Sequence, residues 1–122
     1  MTVNEMKNIA IIIHSSPHGS AKGREALDLA LALSALNHIT VIFTDKGIFH
    51  LLPNQHPDLI LMRDYIATFN MLELYDIEDV YVSESALKSH NLSDFTFNIT
   101  TKVINHYDLN QLLDEQDVIL TF

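Results

Sequence analysis

Residues Ile9 to Leu33 read "IAIIIHSSPHGSAKGREALDLALAL". The stretch begins with an apolar run, passes through a polar turn, and ends in a helix pattern. The run "NIAIIIH", Asn8–His14, is continuously apolar rather than alternating. A strand of that kind is covered on both faces, as in a parallel sheet with helices on each side. The helix pattern from Gly23 to Leu36 is the first of those covers. Strand, loop and helix in this order make the first half of a βαβ unit.

The pattern then repeats along the chain. Further apolar runs predict strands at His38–Thr44, Asp79–Ser83, Phe95–Ile99 (extending towards Val103) and Asp117–Thr121. "FTFNITTKVIN" alternates, as an edge strand would. Helical spacing predicts helices at Asp58–Leu74, Glu84–His90 and Leu109–Glu115. Asp58 and Asp108 stand where N-caps are wanted. Alternating strands and helices imply right-handed crossovers and a three-layer α/β/α domain. At 122 residues the chain is expected to form a single domain spanning 1–122, large enough for a core without metal or disulfide support.

Composition narrows the function. Seven Lys and Arg stand against 16 Asp and Glu, a formal net charge of −9. Such a chain repels polyanions, so no direct nucleic-acid binding is expected. The chain has no cysteine, which excludes a disulfide, a thiolate nucleophile or a thiolate metal site within it. The polar start "MTVNEMKN" leads straight into a strand without a signal-peptide pattern, and the apolar runs are too short to span a membrane. A cytoplasmic location is the expectation.

Ligands of open α/β sheets bind beyond the carboxyl ends of the strands. The loop after the first strand holds His14, Ser15, Ser16, His18, Gly19 and Ser20, and is the candidate ligand or partner loop. Gly19, Ser20 and Gly23 would let backbone amides approach an anion at a helix start. The spacing matches neither G-x-G-x-x-G nor a P-loop. Pro17 to fix direction, Gly19 for an unusual φ and a Ser cap explain the same letters as a plain strand–helix turn. We give that plainer reading more weight. A stand-alone anion- or nucleotide-binding module using Ser15–Gly23 is the alternative.

His14 and His18 are four apart, and His50 and His56 occupy the neighbouring loop. Pro17 works against the helix on which such spacing would converge on a metal. These His residues therefore read as structural or surface groups, and no metal or cofactor is assigned. There is no G-x-S-x-G elbow for a Ser–His hydrolase, and no catalytic residue is assigned either.

Two stretches read as interfaces. From Ala26 to Leu36 only Asp28 and Ser34 are polar, so the helix could cover the sheet with one side and a partner with the other. A helix of small residues tucked under a loop fits the same letters. The loop from Asp45 carries Ile48, Phe49, Leu51 and Leu52, four large apolar residues in five positions. Apolar residues in a long loop fold back onto the domain or dock on another chain, and we expect these four to contribute to an interface. Tyr65, Phe69, Met71 and Tyr75, mostly at helical spacing, read as core.

Three blocks in order, "PHGSAKGREALD" (17–28), "DKGIFHLLPNQHPD" (45–58) and "RDYIATFNMLELYDIEDV" (63–80), resemble the DsrF-type subunit of the DsrE/F/H sulfur-relay family. The similarity runs from the first strand to the terminal "DVILTF". The resemblance implies a five-stranded, mostly parallel sheet. It also implies a heterohexamer with TusB- and TusD-like subunits, two copies of each. Such a complex takes persulfide sulfur from TusA and passes it towards TusE, for 2-thiouridine at tRNA wobble positions. In this family the relay cysteine belongs to the TusD-type subunit, near the end of the strand matching Asp79–Ser83. Ser83 stands there instead, and a hydroxyl forms no persulfide.

Overall fold

A computed structural model describes residues 6–16, 22–51, 77, 79–92 and 101–122. Five strands make one sheet: β1 (Asn8–Ile13), β2 (His38–Phe43), β3 (Asp79–Ser83), β4 (Lys102–Ile104) and β5 (Val118–Thr121), in the order β4-β3-β2-β1-β5. All four strand pairings are parallel. The central pair runs in register from Asn8 opposite His38 to Ile13 opposite Phe43. The α/β architecture is thus the one the strand–helix alternation predicts, and the alternating fourth run does lead to an edge strand.

Alternate residues separate the two faces. Ile9, Ile11, Ile13, Ile39, Val41, Phe43, Val80 and Val82 form one continuous core. Helix α1 (Lys22–Leu33) covers this core with Gly23, Ala26, Leu27 and Ala30, an i, i+3, i+4, i+7 stripe. Helix α2 (Glu84–Ser89) adds Ala86 and Leu87 to the same core. Ala10, Thr40 and Ile42 on the opposite face are also buried. Both faces of the central strands are therefore covered, which is why these runs can be apolar at every position.

The helix limits have local causes. The Asn37 side chain donates to the Leu33 carbonyl at 3.0 Å, and α1 stops there rather than at Leu36. Helix α3 (His106–Asp114) starts three residues before the expected Leu109. Its N-cap is Asn105, whose side-chain oxygen accepts from the Asp108 N–H at 2.8 Å. Asp108 is thus an acidic residue of the first turn, not the cap. The expected Phe95–Ile99 strand, the Asp58 cap and the Asp58–Leu74 helix lie outside the described residues.

The two ends of the sheet differ. At the amino end Asp79 accepts from His38 Nε2 at 2.6 Å and faces Lys102 Nζ at 3.6 Å, linking the starts of β2, β3 and β4. At the carboxyl end the bonds are main-chain. The Thr44 N–H donates to the Ile13 carbonyl at 3.0 Å, and the Gly47 N–H donates to the Thr44 carbonyl at 2.8 Å. A 3₁₀ segment, Asp45–Leu51, follows directly. At Gly47 an added Cβ would sit 1.9 Å from the Ile13 oxygen, so only glycine fits.

Gly47→Ala is therefore expected to cost about 1–3 kcal/mol or more through forced displacement of the β1 end. Asn105→Ala, which removes only a cap, is expected to cost about 1 kcal/mol. Urea unfolding of both variants checks the ranking, and an equal or reversed order would refute it.

Candidate functional site

The carboxyl edge gathers the ends of β1, β2, β3 and β5. Beyond β1, the His14 and Ser15 amides both donate to the main-chain oxygen of Phe122, at 2.9 and 3.3 Å, while the Phe122 N–H donates to Ile12 at 2.8 Å. Strand order reverses between β1 and β5, where open sheets bind ligands. Here that position is bridged by the chain's own main-chain hydrogen bonds.

The first-loop residues are placed individually. His14 is exposed, whereas Ser15 and Ser16 are half-buried. His18, Gly19 and Ser20 lie outside the described residues, as do His56 and Leu52. His50 is buried at 2 % exposure, and its Nε2 donates to the Ser15 carbonyl at 2.8 Å. Its ring also tilts against Phe43, with 6.4 Å between centroids. His50 is thus a structural clamp between the 3₁₀ segment and the first loop. Among the described residues no group of three or more His, Asp or Glu could hold a metal.

The apolar loop residues divide as well. Ile48 is fully buried within this chain's own core. That corrects its expected interface role, because a side chain already removed from water has no surface left for a partner. The 3₁₀ turn folds it inward over the sheet. Phe49 is half-buried and meets His90 edge-on, with centroids 4.8 Å apart. The side chain of Leu51 lies outside the described set.

Strand β3 ends at Ser83, which is 4 % exposed. Its side-chain oxygen caps α2 by accepting the Ala86 N–H at 3.4 Å, and it lies 3.0 Å from Ser85 Oγ. Both contacts turn this hydroxyl into the helix. Beside it lies an open cleft of about 160 Å³, lined by Thr44, Asp45, Ser85, Ala86, Ser89 and His90. Asp45 adopts φ 49°, in the left-handed region. Asp tolerates that region better than most residues because its short side chain can bond locally.

Ser85, His90 and Asp45 share the cleft, but among the described residues no hydrogen bond joins a hydroxyl to the imidazole or the imidazole to Asp45. No nucleophile–base pair is assembled there. Sequence reasoning missed this cleft. The available signals were three Ser in "SESALKS", 83–89, and an Asp placed before Lys-Gly at 45–47. Both look like ordinary cap and turn chemistry until the fold brings them together.

The sequence matches the DsrE/DsrF-like family over residues 7–122. The chain belongs to that family. The solved structure of the YchN protein from E. coli is similar in fold, with a TM-score of 0.79 at 20 % identity, over 96 % of this chain and 100 % of that one. The DsrE/DsrF-like family connects the chain to sulfur-relay proteins. No helix among the described residues is long and apolar enough to cross a membrane.

His50→Ala removes a buried ring and leaves the Ser15 carbonyl without this donor. We predict a stability loss of about 2–4 kcal/mol. His14→Ala, at an exposed position, is expected to stay within about 0.5 kcal/mol of the parent. Thermal or urea unfolding checks the pair, and equal effects would show that His50 is no clamp.

Proposed function

We propose that this chain is TusC, a non-catalytic subunit of a TusBCD-type sulfur-relay complex. In that complex it acts with TusB- and TusD-like subunits, two copies of each, in the cytoplasm. The complex passes persulfide sulfur from TusA towards TusE for 2-thiouridine synthesis at tRNA wobble positions. One observation carries the reading. The carboxyl end of β3, where the relay cysteine stands in TusD-type subunits, bears a buried Ser83 whose hydroxyl is engaged as a helix cap.

The chemistry supports the same role. A persulfide needs a thiol, and the chain has none. The β1–β5 side of the carboxyl edge is bridged by Phe122. What remains for this chain is to orient sister subunits that carry the sulfur. The net charge of −9 also argues against direct tRNA contact by this subunit.

Co-expression with TusB- and TusD-type subunits tests the assignment. A tagged chain is expected to retain both through size exclusion in equal amounts. A chain that purifies alone in their presence would overturn it. Phe49, half-buried and followed closely in sequence by Leu51 and Leu52, is our choice of anchor for the partner contact, since aromatic residues dominate interface hot spots. Phe49→Asp is predicted to weaken retention at least tenfold while circular dichroism stays unchanged. Full retention would move the interface away from this loop, and loss of the dichroism signal would assign Phe49 to the domain's own core.

A further inference from the structure

The cleft between the β2 turn and α2 has no role in the sulfur-relay reading. We propose that it is a binding site for a guanidinium group, presented by an arginine side chain of another polypeptide. Its lining is rich in hydrogen-bond acceptors. Thr44 and the exposed Asp45 supply one wall, and Ala86, His90 and the exposed Ser85 and Ser89 supply the other. No Lys or Arg lines it, and the nearby Lys88 is paired with Glu84 at 3.0 Å. Among the described residues no cation pairs with Asp45.

Size selects the class of ligand. At about 160 Å³ the cleft is below the roughly 300–1,000 Å³ of sites that take drug-sized molecules. It holds one side-chain head group, not a nucleotide. Charge selects the sign. A phosphate or a persulfide anion would meet the Asp45 carboxylate and a chain of net charge −9. A cation meets neither obstacle.

Geometry favours guanidinium over ammonium. A planar guanidinium spreads five donors in a fork, matches a carboxylate with two bonds and stacks on aromatic faces. The cleft offers a carboxylate on one wall with hydroxyls and a ring on the other. A compact ammonium has fewer donors and is more strongly hydrated. The carboxylate is exposed, and the backbone that carries it is held in advance. The main-chain bonds from Thr44 to Ile13 and from Gly47 to Thr44 pin the residues on either side of Asp45. Less ordering remains to be done on binding.

A guanidinium site here would exist whether or not the chain belongs to a relay complex, so the two readings fail separately. The test is amide chemical-shift titration of the full chain with a blocked Ala-Arg-Ala peptide, its Ala-Lys-Ala counterpart and free methylguanidinium. The expected result is saturable shifts at Thr44, Asp45, Ser89 and His90. The Arg peptide is expected to bind at least fivefold tighter than the Lys peptide and tighter than free methylguanidinium.

Asp45→Asn keeps a residue that tolerates the left-handed conformation, and it is expected to weaken binding at least tenfold. Ser89→Ala, on the opposite wall, is expected to weaken it two- to fivefold. Absence of saturable shifts, or equal binding in Asp45→Asn, would overturn the site. Equal binding of the Arg and Lys peptides would overturn its guanidinium chemistry. Equal or tighter binding of free methylguanidinium would overturn its assignment to a polypeptide.

Discussion

The carbonyl oxygen of Ile13 closes β1 and begins everything beyond it. It accepts the Thr44 N–H at 3.0 Å, and the Gly47 backbone packs so close that no side chain fits there. This contact locks the end of β1 to the turn after β2. Asp45 takes its left-handed conformation within that turn. The 3₁₀ segment then runs back over the sheet, sending Ile48 into the core and His50 to the Ser15 carbonyl. Loosening this junction would displace both the first loop and one wall of the cleft.

The junction has a consequence for chemistry. A carboxyl edge this closely bonded leaves little freedom at β1, where main-chain donors are already engaged by Phe122. At β3 the hydroxyl of Ser83 is engaged as a cap, which satisfies a helix amide that would otherwise lack a partner. On the reading proposed above, the chain keeps the fold while this hydroxyl serves the helix rather than a sulfur transfer. The chain carries the family match and the fold without any cysteine.

Much of the fold was legible because its signals are local. Continuous apolar runs located β1 and β2, and the span Asp79–Ser83 coincides with β3. The stripe of Gly23, Ala26, Leu27 and Ala30 is an ordinary helical period. The α3 start was misread because Asn105 and Asp108 are both good capping residues, and only hydrogen-bond geometry separates them. The site was less legible. Ile48 looked like interface material because its inward direction depends on a 3₁₀ turn anchored through Gly47. His50 reads from the sequence only as a structural or surface group, because its partner, the Ser15 carbonyl, is a main-chain group 35 positions away. The cleft combines the turn after β2 with helix α2, and no single window of sequence contains it.

The central claim is that the carboxyl end of β3 is a structural cap here and not a reaction centre. Ser83→Ala in the proposed TusBCD-type complex tests it most directly, with unfolding and sulfur delivery to a TusE-type acceptor measured on the same preparation. Removal of the cap is predicted to cost about 0.5–2 kcal/mol of stability while the delivery rate stays within about twofold of the parent. Collapse of delivery with stability unchanged would contradict the account and make Ser83 part of the chemistry.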